Sequence, residues 1–123
     1  MREIKFRAWA KDTKVMLPVW IIDFQYKKLQ IYASDDEIWI PLGKVELMQF
    51  TGLRDKNGKE IYEGDIVRNP YGDLYIIRWI NDKASFMGEP IKADEHDDYD
   101  AYVRDLEIVG NIYENPELLG GDK

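Results

Sequence analysis

The residues best equipped for chemistry crowd into one short stretch, Ala93–Asp100, which reads A-D-E-H-D-D-Y-D and sets five acids around His96, the single histidine. Carboxylates and an imidazole are ligands for a divalent metal, but consecutive loop residues converge poorly on one ion without support. The stretch is therefore predicted to be a solvated acidic loop. Any Ser-His-Asp hydrolase would also have to use His96, with Ser34 or Ser85 as nucleophile. Neither serine sits in a G-x-S-x-G elbow, so hydrolysis is not expected. Glu3 and Lys5 match the second half of a metal-dependent nuclease signature, in which carboxylates hold the metal and a lysine steadies the nucleophile. The pair precedes every candidate partner aspartate and reads as the wet face of a strand. Ser34-Asp35-Asp36-Glu37 has the oxygens for a hard cation but reads as an acidic turn. Asp55-Lys56-Asn57-Gly58 fails as a calcium loop. Counted from Asp55, glycine is fourth and Ile66 twelfth, where the pattern wants glycine sixth and glutamate twelfth. No catalytic, metal or cofactor site survives these tests, and the protein is expected not to be an enzyme.

The elements that would position any site are short strands. Met48–Arg68 holds Gly52, Gly58 and Gly64 at chain reversals, with apolar runs between them too brief for helices. Asn57-Gly58, flanked by Lys56 and Lys59, predicts a two-residue hairpin turn of type I′. Asn69-Pro70-Tyr71-Gly72-Asp73 is a second strong turn, followed by Leu74–Ile80, the most apolar strand. Asn81-Asp82-Lys83 turns that strand into Ala84–Gly88. Earlier in the chain, Ile4, Phe6 and Ala8 alternate with Glu3, Lys5 and Arg7 as a half-buried strand does. Val15-Met16-Leu17 is expected to pair back on it as an arm that Pro18 keeps short or at an edge. Trp20–Phe24 and Leu29–Tyr32 form another pair around Gln25–Lys28, and Ile38-Trp39-Ile40 closes the section before Pro41-Leu42-Gly43. Ile108–Tyr113 is a last strand, and Asn115-Pro116-Glu117 leads into a short helical turn anchored by Leu118 and Leu119.

Composition narrows the function classes. A chain of 123 residues that is 45% hydrophobic and 13% aromatic can build one globular core. It has no cysteine, which rules out disulfides and thiolate zinc sites. The net charge of −7 disfavours a protein built around phosphate-backbone binding. No apolar run approaches the ~20 residues of a membrane helix, and the chain opens at Met1-Arg2-Glu3 straight into a strand pattern. A soluble cytoplasmic protein without membrane contact is expected.

Three blocks in order, I-K-F-R-A-W at 4–9, M-Q-F-T-G-L-R-D-K-N-G-K-E-I-Y-E-G-D-I-V at 48–67 and I-V-G-N-I-Y-E-N-P-E-L-L at 108–119, resemble the YopX family of bacteriophage and prophage proteins. Ala10 departs from the aspartate that often follows Trp in that family. The resemblance implies a mainly β fold and a phage or prophage origin, with no catalytic residue to carry over.

The combined expectation is an all-β chain with little helix. An N-terminal β-hairpin section covers 1–43, a small SH3-like barrel 44–119, and a flexible tail 120–123. The function expected is that of a non-catalytic accessory protein that binds phage or host proteins, or itself through a sheet edge. Its candidate contact surface is Tyr62, Tyr71, Tyr75, Trp79 and Tyr113, because aromatic side chains give large contact area at low entropic cost. The alternative is weak binding of single-stranded nucleic acid by a basic hairpin of Arg54, Lys56, Lys59 and Arg68, with Tyr62 and Tyr71 as stacking platforms.

Overall fold

In a computed structural model of the chain, residues 3–33, 36–91 and 105–120 are described. The acidic stretch around His96 lies outside them. Among the described residues the regular structure is mostly β-strand, and every strand pairing is antiparallel, as the alternating patterns and dense turn signals predict. The chain divides into two compact units, Met1–Gln49 and Phe50–Lys123.

The first unit holds β1 (Phe6–Ala10), β2 (Val15–Asp23), β3 (Lys28–Ala33), β4 (Asp36–Pro41), a 3-10 turn at Leu42–Lys44 and the start of β5 (Val45–Arg54). The strands lie in the order β4-β3-β2-β1-β5. One face buries Ala8, Leu29, Ile31 and Val45, with Leu17, Val19, Ile22, Ile40 and Leu47 packed around them. Leu29 is wholly buried, worth about 2 kcal/mol in transfer free energy.

Pro18 does not shorten β2 or drive it to an edge. β2 lies between β1 and β3, and Pro18 marks the point where it changes partner. Val15–Pro18 pair with β1, whereas Val19–Asp23 pair with β3 across a bulge at Trp20. The missing N–H falls where the first ladder ends, so a proline costs little there. The following turn is held by Asp23, whose Oδ1 accepts the N–H groups of Gln25 and Tyr26, both at 3.0 Å.

In the second unit the end of β5 pairs with β6 (Glu60–Tyr62), and a four-stranded sheet runs β10-β7-β8-β9. Its strands are β7 (Asp65–Arg68), β8 (Leu74–Ile80), β9 (Ser85–Pro90) and β10 (Glu107–Asn111), and one helical turn, α1 (Glu117–Gly120), follows. Ile61, Val67, Tyr75, Ile77 and Leu106 form the core, with Phe86 and Ile108 against it. Ile66 and Ile76, paired on the other face of the sheet, are buried too.

The expected SH3-like barrel does not close. Among the described strands, β9 and β10 each have one neighbour, and β6 pairs with β5 alone. β6 is three residues long before the chain reverses at Gly64, too short for a closing ladder. β5 is bent by a bulge between Phe50 and Arg54, where Gly52 has φ +89° and Thr51 Oγ1 donates to the Ile61 carbonyl at 2.8 Å.

The Asn57-Gly58 turn is also not of type I′. Gly58 has φ +84°, but Asn57 is not in the left-handed region. The Asp55 carbonyl accepts from Gly58 N–H at 3.0 Å, and its Oδ1 accepts the N–H groups of Asn57 and Lys59. A carboxylate that bonds two backbone groups favours a wider turn with one left-handed residue over the two that type I′ requires. Asn69-Pro70-Tyr71-Gly72-Asp73 repeats the geometry: Asn69 Oδ1 accepts from Tyr71 and Asp73, and Gly72 N–H donates to the Asn69 carbonyl.

Candidate functional site

The two matching turns of the second unit flank an open groove of about 510 Å³ lined by Lys56, Arg68, Asn69, Tyr71, Asp105 and Glu107 among others. It brings together two of the four basic residues singled out in the sequence, with Tyr71 at the rim. Those cations are already engaged. Arg68 Nη2 donates to Glu107 Oε1 at 2.8 Å, and Lys56 Nζ stands 3.8 Å from the same oxygen. The Arg68 hydrogen bond, then the Lys56 charge, hold the Glu107 carboxyl below its usual pKa. Arg54 faces Glu60 at 3.5 Å, and Lys59 lies beside Asp55. The hairpin is a lattice of compensated charge rather than a bare basic surface.

The five candidate aromatics do not assemble into one surface. Tyr75 is 4% exposed and belongs to the core, because alternation along β8 points it inward with Ile77. Tyr62 packs at a tilt against Phe50 with centroids 5.5 Å apart, and its hydroxyl donates to Glu60. Trp79 is 45% exposed and packs edge-on against Phe86 at 5.1 Å. Tyr71, 90% exposed, precedes the start of β8, whereas Trp79 is near its far end. The rise along β8 from Leu74 to Trp79 is roughly 17 Å, so Tyr71 and Trp79 form separate features. Tyr113 lies in the turn after β10, where its N–H donates to Asn111 Oδ1.

A more continuous exposed surface lies in the first unit, on residues that sequence patterns placed in strands and turns without singling them out. Gln30 pairs with Ile21 on one side and Trp39 on the other, so the three side chains form a row on the face opposite the core. Lys28, two residues along β3 on that face, holds its Nζ 4.5 Å from the Trp39 ring centroid and 5.9 Å from that of Tyr26. Cation–π contacts of this kind contribute about 0.5–1 kcal/mol at exposed sites. Trp20, Phe24 and Tyr26 are also exposed. The available signal was apolar residues at adjacent positions in β2 and β4, more than a one-faced strand can bury.

Among the described residues no cluster of three or more acids or histidines could hold a metal ion. Among them, too, no helix is long and apolar enough to cross a membrane.

Comparison with known proteins adds to this geometry. A family model described as YopX protein matches residues 5–120. The crystal structure of protein EF1440 from Enterococcus faecalis is similar at 27% identity and a TM-score of 0.68, over 97% of this chain and 99% of that one. The crystal structure of protein yopX from Bacillus subtilis shares the fold at 21% identity and a TM-score of 0.56, over 100% of both chains. A search of curated protein sequences gave no match.

Proposed function

The chain belongs to the YopX family, and from that premise we propose that it is a non-catalytic protein-interaction module, an accessory protein of a phage or prophage acting in the host cytoplasm. One observation carries the reading: exposed Ile21 and Trp39 on either side of the buried Gln30, with Lys28 laid across Trp39 and reaching towards Tyr26. Aromatic side chains held by a cation on a rigid sheet lose little entropy on binding, which suits them to anchor a partner. The rival nucleic-acid reading is less favoured because Lys56, Arg68 and Arg54 face carboxylates.

Affinity capture from host cells carrying the phage tests the proposal, with Tyr26→Ala/Trp39→Ala as the comparison. A protein enriched by the wild type and lost with the double variant supports it. Identical recoveries from the two, or none from either, would overturn it.

A further inference from the structure

We propose that β4 is a homotypic edge, through which two copies of this chain pair their first-unit sheets antiparallel about Ile38. The proposal rests on the protein-interaction reading above and names the partner as a second copy.

The hydrogen-bonding phase of β4 follows from its register. Leu42 N–H donates to the Lys27 carbonyl at 2.9 Å, and the ladder continues Lys28↔Pro41, Leu29↔Ile40, Gln30↔Trp39, Ile31↔Ile38. Bonded and non-bonded pairs alternate in an antiparallel ladder. Leu42, Ile40 and Ile38 therefore bond β3, and the backbone groups of Glu37, Trp39 and Pro41 point to the free side. Among the described strands β4 has β3 as its one neighbour.

Pro41 has no N–H, so Glu37 and Trp39 carry the free donors of this edge. A two-fold axis at Ile38 sets Glu37 of each copy opposite Trp39 of the other. Every edge N–H then finds a carbonyl, and Pro41 falls outside the ladder.

Charge complementarity selects the same register. Glu37 and Trp39 share a face with Lys28 and Gln30. The partner's Glu37 would arrive beside Trp39, where Lys28 Nζ already sits 4.5 Å from the ring centroid. Each copy thus offers a lysine to the other's glutamate, as an isologous interface requires.

β4 keeps its charges and its proline at its two ends, whereas the other long edges are interrupted along their length. β9 carries Gly88, Pro90 and Glu89, which is paired with Arg78 at 2.7 Å, and β10 carries a bulge and Gly110. In β4 the consecutive residues Ile38, Trp39 and Ile40 have no charge, glycine or proline among them, and Ile38 and Trp39 are exposed.

Light scattering and sedimentation of the purified full chain at about 1 to 300 micromolar test this without any host partner. A concentration-dependent dimer is expected. Glu37→Pro, which removes a free-side N–H and leaves the β3 ladder intact, should weaken it about tenfold or more. Lys28→Glu and Glu37→Lys should each weaken it, and the two together should restore it. Circular dichroism and thermal melting check that each variant is folded. A wild type monomeric throughout the range, or a dimer indifferent to Glu37→Pro and to the charge exchange in folded variants, would overturn the proposal. A monomer that still captures a host protein through Trp39 would overturn this inference alone.

Discussion

Asp55 does through one side chain what most turns leave to the backbone. Its Oδ1 accepts the N–H groups of Asn57 at 2.8 Å and Lys59 at 2.9 Å, and its Oδ2 accepts that of Ile108 at 2.9 Å. The first two bonds shape the turn, and the third ties it to β10. Burial pushes the carboxyl pKa up, but the Ile108, Lys59 and Asn57 hydrogen bonds, aided by the Lys59 charge, outweigh it and hold the group below its usual value. The folded pKa is depressed, so the stability it contributes is full above the unfolded value of about 3.9 and is lost as pH falls through the folded value. Asn69, in the same turn geometry, shows that an amide oxygen can accept both turn bonds. Asp55→Asn should therefore lose chiefly the Ile108 bond, at about 2 kcal/mol, and Asp55→Ala about twice that. Urea denaturation at neutral pH reads both costs. Repeated below about pH 4, it should show a shallower acid loss in each variant than in the wild type. An Asp55→Asn protein as stable as wild type at neutral pH would mean that the Ile108 bond contributes nothing.

At the scale of elements, the strands were legible because turn residues punctuate them tightly. Asn69–Asp73 and Asn81–Lys83 delimit β8 as the sequence predicts. What stayed hidden is pairing and exposure, which local patterns do not encode. Pro18 reads as an edge signal until β2 is seen to change partner there. Trp39 reads as a closing strand residue until β4 is found to be the outermost strand of its sheet. Tyr75 and Trp79 share a face of β8, and only their distance from its end separates a core residue from a half-exposed one. The Gly110-Asn111…Asn115-Pro116 motif, conspicuous in sequence, has a steric reason. A Cβ on Gly110 would meet Asn115 Oδ1 at 2.5 Å and Cγ at 2.7 Å. That same Oδ1 accepts the Asn111 N–H at 3.1 Å, while the Asn111 carbonyl accepts from Asn115 N–H. Gly110→Ala should push Asn115 out of this reciprocal pair, at about 2–3 kcal/mol from overpacking and lost hydrogen bonds. Thermal unfolding should show the loss, and Gly110→Ala/Asn115→Ala should be far less than additive, since the first change already displaces the second residue. Additive costs would show that the two positions act independently.

For the molecule as a whole, 24 acids against 17 bases give the net charge of −7, and the arrangement of those charges matters more than their sum. The basic residues around the second-unit turns look in sequence like a phosphate-binding cluster. In the fold Lys56 and Arg68 share Glu107, and Arg54 faces Glu60. A phosphate would have to displace a carboxylate from these cations, and counterion release, which drives binding to a polyanion, is correspondingly small. Labelled single-stranded DNA and RNA titrated at low salt should therefore show no saturable binding at about tens of micromolar protein, well above the range of dedicated binders. Glu107→Gln frees both Lys56 and Arg68 at the rim of a groove that already presents Tyr71, and should confer weak affinity that falls steeply with added salt. The pair of measurements separates a compensated surface from an indifferent one. If the cations are held in check by Glu107, only the variant binds. Saturable, salt-sensitive binding by the wild type, abolished when Lys56 and Lys59 are both replaced by Glu, would instead restore the nucleic-acid reading and displace the protein-interaction one.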